Sequence, residues 1–185
     1  MATVKTPAEA WISAGLRALA RGGPDAVRIE PIAADLGVSK GGFYWHFANR
    51  AAFIERMLDT WEKTVVEDVI AEIDSHGGAP RDRLRELFRM AQASTRSTDG
   101  LGVELAIRDW SRRDKAVAKR LRGIDDRRMA YMRSQFLEFS ADDEDAEARA
   151  LQVYALMVGG YFIASSNPDL PRAQVVRRAL ELLLA

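Results

Sequence analysis

Apolar residues recur at every third or fourth position through most of this 185-residue chain. That period builds helices and leaves no room for the alternation of a half-buried strand. The pattern is longest after Asn49. Phe53, Met57, Trp61, Val65, Val69 and Ile73 succeed one another at four-residue steps, with Ile54, Leu58, Val66 and Ile70 beside them. This describes an amphipathic stripe of about six turns, ended by "SHGGAP". Shorter stripes lie on either side of it. Ile12, Leu16 and Leu19 mark a first helix, opened by "TPAE" as a capping box with Thr6 as N-cap, and stopped by "GGP". Ile32, Ala33 and Leu36 mark a second, which carries Pro31 in its first turn, where proline is tolerated. Further on lie Leu84, Leu87, Phe88 and Ala91, then Val103 to Trp110, then Val117, Leu121, Ile124, Met132 and Phe136. "DDEDAE" supplies carboxylates to a further helix start, and "NPDLP" separates that helix from a last one over Arg172–Leu184. The expectation is an all-α fold of about nine helices. A three-helix N-terminal domain would cover residues 1–48, and a larger helical domain residues 49–185.

Composition narrows the function classes. There is no cysteine, so neither a disulfide framework nor a thiolate metal site is available. The two histidines, His46 and His76, have no metal-binding spacing, and no HExxH, GxSxG, P-loop or dinucleotide fingerprint occurs. "DDEDAEAR" lacks the glycine and closing glutamate of a calcium loop. No catalytic residue, metal or cofactor is therefore expected, and the chain does not read as an enzyme. The longest apolar run, "VYALMVGGYFIA", is shorter than the roughly 18 residues of a membrane span. The N-terminus carries no apolar signal core, which with the missing cysteines points to the cytoplasm. The formal net charge is zero, yet residues 1–50 hold six Lys/Arg against four Asp/Glu, a slight local basic excess.

The most specific stretch is "IAADLGVSKGGFYWHFANR", from Ile32 to Arg50. Two short helices joined by "GVS" make a helix-turn-helix. Gly37 serves the left-handed turn, Val38 plugs it, Ser39 caps the next helix, and Phe43 and Phe47, four apart, face the core. Lys40, Gly41, Gly42, Tyr44 and Trp45 are left on the outer side, where a recognition helix meets the major groove. A glycine pair costs about 1 kcal/mol per residue in a helix. It lets backbone approach DNA with no side chain in the way. Tyr44 and His46 offer hydrogen bonds to phosphate, Trp45 an apolar surface, and Lys40 and Arg50 cations. Most such contacts position the protein, and Lys40 is the candidate reader of guanine O6 and N7.

The stretch closely resembles the DNA-binding domain of TetR-family transcriptional repressors, whose pattern is IA-x-x-x-GVS-x-G-x-(L/F)-Y-x-HF followed by a basic residue. The likeness covers about 45 N-terminal residues. One departure is Arg28, in the slot where the family usually places a Ser or Thr that caps the second helix and touches phosphate. Another is Arg50, where a lysine is usual. The resemblance implies a homodimeric repressor that binds double-stranded operator DNA and is released by a small-molecule effector. The alternative is a helical protein–protein interaction module that binds no DNA. Dimerisation is implied for the last two helices, where Ala155, Gly159, Phe162, Val176, Leu180 and Leu183 are the candidate contacts. The small residues of "VYALMVGGYFIAS" suit close helix packing and support this independently. Trp61, Phe88, Trp110, Tyr131 and Tyr154 are candidates to line an effector pocket. No membrane partner is expected.

Overall fold

The computed structural model describes residues 6–96, 98–164 and 167–185. Among them the structure is helical, without a named strand: α1 (Ala8–Gly22), α2 (Ile29–Asp35), a 3₁₀ turn (Lys40–Trp45), α3 (Arg50–Glu62), a π-helical segment (Lys63–Asp68), α4 (Val69–His76), α5 (Pro80–Arg96), α6 (Thr98–Ser111), α7 (Lys115–Leu137), α8 (Asp143–Gly159) and α9 (Arg172–Leu183). The expected all-α class and helix order hold. No described helix is long and apolar enough to cross a membrane.

The chain groups into two compact units. One comprises residues up to Glu67 together with Arg96–Gly123, and the other Asp68–Thr95 together with Ile124–Ala185. In the first unit α1 packs on α2, α3 and α6. Its core holds Trp11, Leu19, Ile32, Phe43, Phe53, Met57 and Ile107, all fully buried. In the second, Leu84 and Phe88 of α5, Met132 and Phe136 of α7, Ala146, Ala150 and Val153 of α8, and Leu180 and Leu184 at the end of the chain form one buried cluster.

Three local expectations change. Helix α1 begins at Ala8 rather than at Pro7, and no side chain caps it, so the "TPAE" box does not form. The long stripe from Asn49 does not stay in register. Burial runs through Phe53, Met57 and Trp61 and then steps five residues to Val66, while Val65 is only half-buried. The π segment inserts that extra residue, because its i→i+5 bonds widen one turn and rotate the helix beyond it. The third helix of the helix-turn-helix is a single 3₁₀ stretch of six residues. Ser39 precedes it without a side-chain cap, and two glycines occupy its first half, so little there favours an α-helix.

Side chains cap other helix ends. Asn49 caps α3 by accepting from Ala52 N at 2.9 Å, and Asp142 caps α8 by accepting from Asp145 N at 2.8 Å. In return Asp145 accepts from Ala141 N, which holds its carboxyl below the usual range. At the end of α9, Arg81 donates to Leu184 O and Arg149 to Leu183 O, satisfying carbonyls that the helix leaves open.

Candidate nucleic-acid interface

The recognition turn is held from beneath by aromatic rings. Phe43 has no exposed surface and stands edge-on to Trp11 of α1 at 5.5 Å between centroids, and to Phe53 of α3 at 5.3 Å. Phe47 closes the group, 5.2 Å from Phe43 and 4.8 Å from Phe53. Edge-on pairs of this kind add to simple burial and fix ring orientation. Gly15 of α1 makes this packing possible. A Cβ there would lie 2.5 Å from Met57 Sδ and 2.6 Å from Phe53 Cζ, so α1 and α3 approach only because that position is bare. Gly15 does not stand out in the sequence; it is one small residue within an ordinary helical stripe.

The turn between α2 and the recognition segment conforms closely to its sequence. Gly37 has φ +67°, a left-handed conformation that other residues rarely adopt. Val38 N donates to Ala33 O at 2.9 Å, and Gly37 N to Ala34 O at 3.0 Å.

With Phe43 and Phe47 anchored, the opposite side of the turn faces outward. Tyr44 is 53% exposed and Trp45 76%, and Ser39, Lys40 and Gly41 are exposed beside them. The two glycines are not demanded by the chain itself. Neither has a positive φ. A Cβ on Gly41 would come no nearer than 3.6 Å to Ser39 Oγ, and one on Gly42 no nearer than 3.7 Å to the Trp11 ring, both ordinary contacts.

The polar candidates are more occupied than their positions in the sequence suggest. Lys40 Nζ lies 2.5 Å from Glu30 Oε1, at the start of α2. The hydrogen bond from Lys40, with help from its charge, holds the Glu30 carboxyl below its usual range, and the same bond raises the Lys40 ammonium. His46 Nε2 lies 2.8 Å from Thr6 O. A carbonyl only accepts, so this nitrogen carries the proton and ties the residues before α1 to the end of the recognition turn. Arg50 donates from Nε to Val27 O at 2.7 Å and from Nη2 to Pro24 O at 2.5 Å. A cation at the first position of α3 opposes the helix dipole, and these carbonyls explain why it is tolerated there. The Arg50 guanidinium is therefore engaged with the loop before α2. Arg28 is exposed at the N-cap of α2 and makes no side-chain cap.

The remaining candidates divide between the units. Trp61 is buried and Trp110 half-buried in the first. Phe88 belongs to the buried cluster of the second. Tyr131 donates to Asp74 Oδ1 at 3.0 Å; burial, reinforced by that bond, pushes its hydroxyl up to about 12. Tyr154 donates to Asp125 Oδ1 at 2.5 Å and accepts from Arg128 Nη1 at 3.3 Å. On the last two helices Leu180 is 3% exposed and turns into its own chain's core, with Val176 and Leu183 packed against the same cluster. The outward apolar residues are instead Leu151, Phe162, Ile163, Leu170, Val175 and Leu182. Ala155 is exposed among them, and around Gly159 a Cβ would meet nothing within 4 Å. Among the described residues no group of three or more His, Cys, Asp or Glu could hold a metal ion.

A small-core helix-turn-helix with an exposed aromatic turn defines a DNA-binding module. Residues 12–57 match the family "Bacterial regulatory proteins, tetR family". Solved structures share the fold over nearly the whole chain. A transcriptional regulator from Rhodococcus sp. RHA1 has a TM-score of 0.70 at 22% identity, covering 97% of this chain and 94% of its own. A TetR-family regulator from Agrobacterium tumefaciens has 0.71 at 15%, covering 95% and 96%. AibR, solved in complex with isovaleryl coenzyme A and operator DNA, has 0.71 at 16%, covering 96% and 97%. No curated protein sequence matches the chain. Residues 12–57 thus form a domain of the tetR-family kind, and the chain as a whole shares the fold of these regulators.

Proposed function

We propose that the protein is a cytoplasmic, homodimeric repressor whose grip on operator DNA is released by a small molecule, and that it has no enzymatic activity. The observation that carries the DNA-binding face is the glycine pair. The fold leaves ordinary room for a side chain at Gly41 and Gly42 and has none there, while Tyr44 and Trp45 stand exposed beside them. A surface kept bare without an internal reason suits close approach of another backbone. Residues 1–48 carry this face, with Arg28, Ser39, Lys40, Gly41, Gly42, Tyr44, Trp45, His46 and Arg50 as the contacting or positioning set. Few of these side chains can read a base, so phosphate contacts supply most of the affinity.

Residues 49–185 serve effector binding and dimerisation. The exposed Leu151, Ala155 and Phe162, with Val175 and Leu182 of α9, form an apolar face that suits a second copy and a four-helix bundle. The candidate effector contacts are Trp61 and Trp110 within the first unit and Phe88, Tyr131 and Tyr154 within the second. The hydroxyls of Tyr131 and Tyr154 are the polar handles, and the complex of AibR with an acyl-coenzyme A supports an effector in this fold. An effector shifts the protein toward a conformer whose two recognition turns no longer match the half-site spacing. Selection of duplexes from a random pool tests this reading. It predicts a recovered site with two symmetric halves about one helical turn apart. Recovery of no duplex favours the interaction-module alternative.

A further inference from the structure

The first turn of α2 and the first residue of the recognition turn are bridged by one contact, Lys40 Nζ to Glu30 Oε1 at 2.5 Å. Both side chains are open to solvent, Lys40 by 50% and Glu30 by 62%. The cation at the tip of the recognition turn is thus paired, before any DNA arrives, with a carboxylate on the neighbouring helix. We propose that Glu30 is a specificity-determining residue, which withholds Lys40 from sequence-independent phosphate binding while leaving it able to read a base. This deepens the DNA-binding reading and rests on it.

The charge of the acceptor decides which partner Lys40 can take. An ammonium has three N–H donors and Glu30 occupies one, so two remain for other partners. A guanine edge offers O6 and N7, which are neutral acceptors, and Lys40 can donate to them while keeping Glu30. A phosphate is an anion. To share Lys40 with it, the Glu30 carboxylate must lie beside a second negative charge; to release Lys40, it must stand uncovered next to a polyanion. In either case the Glu30–Lys40 pair has no net charge to exchange for counterions, and counterion release is what drives binding to arbitrary sequence. The pair also fixes the direction of a flexible four-carbon stem, whose ordering is costly when it first occurs on the DNA. The charge of Arg28 also favours the Glu30 carboxylate.

The test uses Glu30→Gln in the full chain, with duplex binding monitored by fluorescence anisotropy between about 50 and 200 mM salt, levels over which phosphate-driven affinity changes strongly. On a random-sequence duplex the variant should bind about tenfold more tightly at the low-salt end, and the log affinity against log salt should steepen by about 0.9 per half-site. On a duplex selected by the wild-type protein the gain should be smaller, so discrimination falls. In a Lys40→Ala background, Glu30→Gln should leave the random-duplex slope unchanged. An unchanged slope in the single variant overturns the proposal. So does an equal effect in the Lys40→Ala background, which would make Glu30 a general repulsive charge. Wild-type protein that binds no duplex overturns the DNA-binding reading itself.

Discussion

Arg120 Nη1 of α7 lies 2.8 Å from Glu62 Oε2 at the end of α3. The same guanidinium reaches Asp59 at 2.7 Å and Glu55 at 2.9 Å, so one cation gathers three carboxylates from a single face of α3. Its side chain is only 23% exposed. Within the first unit this ties the helix after the recognition turn to the start of α7. Arg120→Met should cost about 1–2 kcal/mol, because like charges at helical spacing repel once their partner is gone. Arg120→Lys should recover less than half, since an ammonium cannot serve three carboxylates in a fork. Thermal melting of the two variants checks this, and equal melting for wild type and Arg120→Met would refute it.

Arg50 separates a positioning role from a phosphate contact. It holds Val27 O and Pro24 O, so Arg50→Ala should lower stability by about 1–3 kcal/mol as well as weaken DNA binding. Arg50→Lys keeps the charge and loses the second donor. If Arg50 acts mainly by fixing the loop, Lys should fail to restore the melting temperature. Full restoration of both melting and binding by Lys would mean that charge alone is what matters.

Tyr131 gives a pH signature. Its folded-state pKa is raised to about 12 because burial disfavours the phenolate and the hydroxyl donates to Asp74. The fold favours the neutral form. This stabilisation is therefore complete below the unfolded value of about 10 and disappears as pH rises through about 12. Ultraviolet titration should show a phenolate step near pH 12 that is missing in Tyr131→Phe. Identical titration curves would contradict the assignment.

The dimer face is testable without touching either core. Leu182 is 61% exposed and Phe162 64%. Leu182→Glu places a carboxylate where two copies should meet, and an unpaired buried charge costs several kcal/mol. Light scattering should find a monomer with unchanged helix content, and operator affinity should fall because one half-site replaces two. A variant that stays dimeric places the interface elsewhere. Leu180→Ala should behave differently: it opens a cavity in the chain's own cluster and costs about 2–5 kcal/mol of stability.

The helical framework was legible because period and punctuation agreed. Gly37 took the left-handed conformation its position required, and Phe43 and Phe47 were buried four apart. Four things were hidden, each for a physical reason. The π turn is a one-residue shift, and a stripe with apolar residues at both Val65 and Val66 reads equally well in either register. Gly15 matters through the distance to Phe53 and Met57, which are remote in sequence. The partners of Lys40, His46 and Arg50 lie 10, 40 and 23 to 26 residues away, so side chains that read as free donors on one strip of sequence hold neighbouring elements in place. For the last two helices, Leu180 and Leu182 are both leucines on one amphipathic helix, and only packing decided that the first is core and the second surface.

The central proposal, that the bare face around Gly41 lies against DNA, is tested most directly by Gly41→Asp. The position is exposed, its φ is not positive, and a Cβ meets only Ser39 Oγ at 3.6 Å, so the variant should melt like the wild type. A carboxylate there would face a phosphate backbone at close range. Anisotropy with a selected duplex should then show binding reduced by at least about a hundredfold at low salt, where charge repulsion is least screened, with the melting temperature unchanged. Wild-type affinity in Gly41→Asp would contradict the proposal.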